Sequence, residues 1–195
     1  MYERLSVIVG PSGSGKTTIA PLVAAQIGAK RVITCTTRFP RPGEVDGVHY
    51  RFLHPADFLR RISCGEFAEH AIVHGSHYGT LSQDLDRALI SSRDLFVLVL
   101  DIQGAETIAQ KYPGAQVFFI TASLEELMQR LKARDGDDDS EKRIAALAQE
   151  LLGASSPAVS HVIMNTQGNP GAAAQQICRI ILDKVNPTLS QMPRC

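Results

Sequence analysis

Eight residues near the start of the chain, Gly10-Pro11-Ser12-Gly13-Ser14-Gly15-Lys16-Thr17, have the spacing G-x-x-x-x-G-K-[ST]. An apolar segment at 5–9 leads into them and a helix-like segment at 16–27 follows, the context a phosphate-binding loop requires. Glycines at 10, 13 and 15 let the backbone turn its N–H groups inward, toward an anion at a helix N-terminus. Lys16 adds a positive charge that reaches the β- and γ-phosphates of a nucleotide. The Thr17 hydroxyl suits Mg²⁺, which prefers hard oxygen and keeps several waters. Ser12, Ser14 and Thr18 complete the expected nucleotide-binding positions. Pro21 falls inside the helix that follows and removes one of its backbone bonds, which predicts a kink.

A second cluster suits another anion. In Thr36-Thr37-Arg38-Phe39-Pro40-Arg41-Pro42-Gly43-Glu44, two arginines three apart are stiffened by prolines into a fork for a phosphate. Further on come Tyr50, Phe67-Ala68-Glu69 and Gly75-Ser76-His77-Tyr78-Gly79-Thr80. His70, His74 and His77 would converge on a helix, but Ala71-Ile72-Val73 before Gly75 reads as a strand and turn. That placement argues against a transition-metal site and leaves them as cleft-edge or structural residues.

The elements that must hold these residues alternate along the chain. Apolar runs at 5–9, 31–35, 95–100, 116–120 and 161–164 read as strands, several of them continuously apolar, as in strands covered on both faces. Helix-like segments lie at 16–27, 82–91, 105–111, 123–133, 140–152 and 171–185, the last with Ile177, Ile180, Ile181 and Val185 as a core-facing stripe. Alternation of this kind predicts an α/β fold with a central parallel sheet flanked by helices. Residues 34–80 interrupt the rhythm with Pro, Arg, His, Tyr and short strands at 48–52 and 71–73, an insertion that presents side chains to a cleft. The acidic stretch at 134–141 interrupts it again, either as a mobile lid or as a solvated loop capping the next helix.

The chain has 195 residues, 44% of them hydrophobic, which fits one domain with a sizeable core. Lys+Arg and Asp+Glu both number 20, so no global field attracts nucleic acid or an anionic membrane. The longest strictly apolar run, at 95–100, is six residues, whereas a membrane span needs about 20. Cys35, Cys64, Cys178 and Cys195 show no C-x-x-C spacing, so neither a disulfide framework nor a zinc cage is expected. The sequence therefore reads as a soluble, cytoplasmic protein.

Taken together, the phosphate loop, T-T-R-x-P-R-P-G-E, F-x-E and Y-G-T resemble the guanylate kinases over nearly the whole chain. The resemblance implies a three-layer fold with a core at 1–33, 81–128 and 147–195, an insertion for GMP at 34–80 and a lid at 129–146. It implies ATP and GMP as substrates, with Mg²⁺, and phosphoryl transfer to GMP. Arg38, Arg41, Tyr50 and Tyr78 would hold the GMP phosphate, with Glu44 beside the arginines. Glu69, Thr80, Asp101 and the hydroxyl of Thr34 would read guanine. Arg130-Leu131-Lys132-Ala133-Arg134, then Arg143 and Glu150, resemble the lid, with Arg134 and Arg143 on ATP phosphates and Arg134 also stacking on adenine. Asn165 would contact the adenine base. Lys16, Arg38, Arg41, Arg134 and Arg143 would carry the catalytic charge.

The chemistry of the base supports this assignment of Glu69. Guanine offers N1–H and a 2-amino group side by side, and one carboxylate accepts both. Adenine presents a bare acceptor there, and an unpaired buried group can reject a wrong base by ~10⁴-fold. The sequence departs from the family at Val99, which stands where a first strand-end carboxylate is usual and so predicts slower catalysis or a displaced metal. Thr34 replaces a common serine, Ser76 and His161 replace common Asn and Asp, and the stretch between Arg134 and Arg143 is short. Two other readings are a guanylate kinase-like binding module with weak catalysis and a related kinase for a sugar phosphate. The intact loop and arginines speak against the first, and a base-reading carboxylate against the second.

Overall fold

The computed structural model describes residues 2–91, 94–166 and 169–185. Five parallel strands form the central sheet in the order β2 (Lys30–Arg31), β7 (Phe96–Val99), β1 (Leu5–Val9), β8 (Gln116–Thr121), β9 (His161–Met164). β1 is buried throughout and pairs on both sides, Leu5 opposite Phe96 and Ser6 opposite Gln116. Its alternate side chains feed two separate cores. Leu5, Val7 and Val9 join Leu98, Phe119 and Ile108 on one face. Ile8 joins Ile19, Phe118, Ile177 and Ile181 on the other. The helices over these faces are α4 (Ile102–Lys111) on the first and α1 (Lys16–Ile27) with α6 (Pro170–Val185) on the second. This is the three-layer α/β fold expected from the alternation.

A smaller sheet sits apart, in the order β4 (Arg51–Phe52), β3 (Cys35–Thr36), β6 (Ser76–Leu81), β5 (Phe67–Val73). The strand expected at 31–35 is in fact two. Lys30 and Arg31 pair with β7, and Val32 N–H still donates to the Val97 carbonyl (3.0 Å); the chain then leaves the large sheet. From Thr34 onward it serves the small one, where the Thr34 carbonyl accepts from Arg51 N–H (2.8 Å). An apolar run cannot reveal which sheet each residue joins, because either pairing buries it.

Two elements of the small unit depart from the sequence expectation. α2 (Pro55–Ser63) begins with His54 Nδ1 accepting from Ala56 N–H (3.3 Å) and Pro55 at its first turn. Phe58 is buried in it and Ile62 packs against the same small cluster, an apolar pair at helical spacing that the sequence expectation leaves out. β6, for which the sequence reading gives no element, is held by antiparallel pairing with β5 over Val73–Ser76 to Glu69–Thr80. α3 (Ser82–Ser91) then returns the chain to the main sheet.

α5 (Leu124–Leu152) is helical along its whole length, where two helices with an acidic loop between them are expected. A capping box starts it: Ser123 Oγ accepts from Glu126 N–H and the Glu126 carboxylate accepts from Ser123 N–H, each at 3.2 Å. Aspartate and glycine disfavour helix by at most ~1 kcal/mol each, and Leu127, Leu131 and Leu147 anchor both flanks in one cluster. The helix is not straight. Leu131 lies against Gly13 and Glu150 against Ser12, whereas an ideal helix would separate residues 131 and 150 by roughly 28 Å. α5 therefore bends back on itself over the loop at 10–15. α1 runs through Pro21 from Lys16 to Ile27 without interruption. Among the described residues, no helix is long and apolar enough to cross a membrane.

Candidate active site

The C-terminal ends of β1 and β7, with Phe119 of β8, border one cavity of about 670 Å³, lined by the loop at one end and by the small sheet opposite. In open parallel sheets this edge is where ligands bind. Gly10 (φ +144°) passes so close to the Ile120 carbonyl that an added Cβ would strike it. A Cβ on Gly15 (φ +95°) would strike the Asn165 amide. Both positions therefore need glycine for space as well as for backbone sign. Lys16 Nζ donates to the carbonyls of Gly10 (2.7 Å) and Pro11 (3.0 Å), spanning the loop's mouth. Thr17 and Thr18 are exposed, and both line the cavity.

Asn165, expected at an adenine base, is instead 5% exposed beneath the loop. Its amide donates to the Ser14 carbonyl (2.8 Å), because β9 ends directly under the start of α1. Arg130 strengthens this brace, donating to the carbonyls of Asn165 (2.9 Å) and Gly13 (3.4 Å). The resemblance places Arg130 only in the lid motif; its bracing role depends on where α5 crosses the loop, which no spacing reveals. Arg143 lines the cavity together with Lys16, Arg38 and Arg41, so the bend in α5 brings it to the site despite the short stretch before it. The side chain of Arg134 lies outside the described residues.

At the opposite wall, the Arg38 fork is already occupied. It makes a bidentate pair with Glu44, both bonds 2.9 Å, and its Nε donates to the Tyr78 hydroxyl (3.2 Å). Burial pulls the guanidinium pKa down, but the bonds from Glu44 and Tyr78 raise it overall. Against the upward push of burial, Arg38 and the Arg41 N–H hold the Glu44 carboxyl below its ordinary value. Glu44 reaches them because Arg41-Pro42-Gly43-Glu44 forms a turn closed by Glu44 N–H to the Arg41 carbonyl (3.0 Å). The expected fork of two arginines is thus one neutralised, rigidly posed guanidinium and Arg41 beside it. Tyr50 lies edge-on to Tyr78 (6.0 Å between centroids), and burial raises its hydroxyl pKa.

Glu69 is 3% exposed. A bulge between Phe67 and Glu69 breaks the in-out alternation of β5 and turns the carboxylate inward, opposite Thr80. The Thr80 hydroxyl donates to Oε1 (2.5 Å), while Oε2 has no hydrogen-bond partner among the described residues. Burial, with the nearby Asp101 charge added, pushes the carboxyl up to about 7, against the pull of Thr80 and Lys111. Gly104 makes room for it: a Cβ there would lie 2.7 Å from Oε2. Asp101 caps α4, its Oδ1 accepting from Gln103 N–H (2.8 Å) and Gly104 N–H (3.0 Å). That cap sets Gly104 against Glu69, a packing role the sequence does not signal. Thr34 is buried at the cavity wall.

Val99 and Thr17 both line the cavity, so the strand end that usually carries a carboxylate presents an apolar side chain here and the Thr17 hydroxyl is the protein donor expected for a divalent cation. Such a donor set fits Mg²⁺ carried chiefly by nucleotide phosphates and water. No cluster of three or more His, Cys, Asp or Glu that could hold a metal occurs among the described residues. His70, His74 and His77 lie on β5, β6 and the turn between them, as the strand-and-turn reading expects.

Comparison with known proteins bears on what this cleft does. A family model described as guanylate kinase matches residues 2–169. A curated guanylate kinase of Fusobacterium nucleatum is 40% identical over 149 residues, covering 76% of this chain and 79% of that protein. One from Symbiobacterium thermophilum is 42% identical over 147 residues, covering 74% and 69%. The crystal structure of guanylate kinase from Anaplasma phagocytophilum matches with a TM-score of 0.75 and 28% identity over 92% of this chain and 85% of that one. A gluconokinase from Sinorhizobium meliloti, 17% identical with a TM-score of 0.52 over 97% of each chain, shares the fold.

Proposed function

The chain belongs to the guanylate kinase family, and we propose that its ATP-dependent phosphorylation of GMP proceeds in this cleft by alignment of two bound anions. A phosphate oxygen of GMP attacks the γ-phosphorus of ATP, and the bond from that phosphorus to the β–γ bridging oxygen breaks. ADP leaves, and GDP carries the transferred group. The acceptor oxygen is already anionic, so no general base is needed. The protein's work is positioning and neutralisation of repulsion.

On the donor side, the N–H groups of the loop and Lys16 take the ATP phosphates, with Arg143 arriving from α5. Thr17 would hold Mg²⁺, which supplies charge neutralisation on the phosphates when bound. On the acceptor side, Arg38, Arg41, Tyr50 and Tyr78 take the GMP phosphate while Glu44 fixes the pose of Arg38. Glu69 accepts N1–H and the 2-amino group, with Thr80, Asp101 and Thr34 around the ring. In this reading residues 34–80 are the acceptor-binding insertion and 129–146 the lid.

The observation that carries the proposal is Oε2 of a 3% exposed Glu69, which has no hydrogen-bond partner among the described residues. A buried carboxylate oxygen without a donor is costly unless a ligand supplies one, and guanine supplies two donors. A sugar phosphate supplies no such planar donor pair, and a binding module has no need of Lys16 on an intact loop. ADP formation from ATP with GMP, AMP, UMP or ribose 1,5-bisphosphate as acceptor is the test. Turnover with GMP alone is expected. Turnover with the sugar, or tight nucleotide binding without turnover on any acceptor, would overturn the proposal.

A further inference from the structure

Three elements meet on one carboxylate where the small sheet touches the donor loop. Glu150, on the returning half of α5, accepts from the Ser12 backbone N–H through Oε2 (2.5 Å). Through Oε1 it faces His74 Nε2 (3.1 Å), which also lies 3.2 Å from Ser12 Oγ. Burial pushes the Glu150 carboxyl up, but the bonds from His74 and Ser12, together with the Lys16 charge, hold it below its ordinary value. An ionised carboxylate can only accept, so Nε2 carries the proton of its contact with Glu150.

The turn that presents His74 is a second, independent observation. His74 and Gly75 form the two-residue link between β5 and β6, with φ of 48° and 76°. Both corners are left-handed, as in a type I′ turn, where Asn-Gly is the favoured pair. His74 is the one non-glycine residue with positive φ among those described. Asparagine would satisfy the turn as well, yet its side chain is shorter than the imidazole that spans the cleft here. Backbone strain retained at such a place points to a function for the side chain.

We propose that Glu150 is a positioning residue for the donor loop and that His74 ties the acceptor-binding hairpin to it, so that one carboxylate holds the two substrate sites in register. Glu150 fixes the Ser12–Gly13 peptide, and with it the loop that cradles ATP. His74 fixes the tip of the hairpin whose strands carry Glu69, Tyr78 and Thr80. The inference rests on the GMP-kinase reading, because register matters only if two substrates must meet.

Steady-state kinetics for both substrates, with melting temperatures, on the wild type, His74→Asn, Glu150→Gln and the double variant test it. His74→Asn keeps the favoured turn and loses the reach, so the variant melts with the wild type. Its kcat falls about tenfold while both KM values stay within about threefold, because misplacement costs transfer rather than binding. The double variant loses no more than the worse single variant, since the bridge acts as a unit. Unchanged kcat in His74→Asn, losses that multiply in the double variant, or a melting temperature that falls with kcat would each overturn the proposal. Absence of GMP turnover in the wild type would instead defeat the kinase reading beneath it, so the two failures are distinct.

Discussion

Replacing Glu69 with Gln tests the base-reading role proposed for this carboxylate at its most unusual point, its titration. Its carboxyl is pushed from the ordinary 4.5 up to about 7, mainly by burial. In the empty protein it is therefore largely protonated below pH 7, whereas accepting two donors from guanine requires the ionised form. GMP binding below pH 7 must then expel a proton, and kcat/KM for GMP falls about tenfold per pH unit below that value. GMP's own phosphate loses a charge near pH 6, but the ratio of wild type to Glu69→Gln cancels that effect. At pH 8 the variant has lost two charge-assisted bonds of ~1.5–3 kcal/mol each and recovers one neutral bond, a net deficit of about 3 kcal/mol or ~10²-fold. The ratio should shrink from that value toward unity between pH 7.5 and 5.5, while kcat/KM for ATP at saturating GMP stays nearly unchanged. A ratio independent of pH, or equal losses for GMP and ATP, would refute the reasoning.

The same titration bears on stability. A carboxyl whose folded pKa is raised stabilises the fold fully below about pH 4.5, and that contribution disappears as pH rises through about 7. The span from 4.5 to about 7, at ~1.4 kcal/mol per pH unit, is about 3 kcal/mol as an upper figure. Without ligand, Glu69→Gln should thus melt above the wild type at pH 8 and close to it at pH 5, by calorimetry. Lys16→Ala should lower kcat at least ~10³-fold while GMP binding by titration calorimetry is retained, since its charge acts on the donor phosphates. Gly104→Ala should raise KM for GMP about tenfold with KM for ATP unmoved, because its Cβ would crowd Glu69 Oε2. Arg38→Lys cannot make the bidentate pair with Glu44, so KM for GMP should rise ~10-fold to 10²-fold in the same assay.

Much of the frame was legible because local rules agreed with the tertiary fold. Leu5–Val9, Lys16–Ile27 and His161–Met164 have the bounds read from the sequence, since continuous apolar runs and the glycine-rich turn leave each element few alternatives. Legibility failed where pairing over distance decided the outcome. The chain crosses between sheets at Val32–Thr34, inside one apolar run, and β6 is held by its pairing with β5 on one side and β3 on the other. α5 continues through an acidic stretch because leucines on both flanks share one cluster.

The site shows the same division. The loop residues and the arginines announce themselves by spacing, but what occupies the arginine fork does not, because Glu44 reaches Arg38 only around the Pro42-Gly43 turn. Asn165 follows β9 as its spacing expects, but that its amide is buried against the Ser14 carbonyl depends on where β9 ends beneath the loop. His74 and Glu150 are far apart in sequence and meet only through the bend in α5 and the tip of the hairpin. No local pattern encodes such a meeting.

A crystal structure of the protein with GMP bound is the most direct measurement. The account predicts guanine N1 and the 2-amino nitrogen within hydrogen-bond distance of the Glu69 carboxylate, and the phosphate against Arg38 and Arg41, facing Lys16 across the cleft. A nucleotide seated with its base away from Glu69, or its phosphate remote from both arginines, would contradict it.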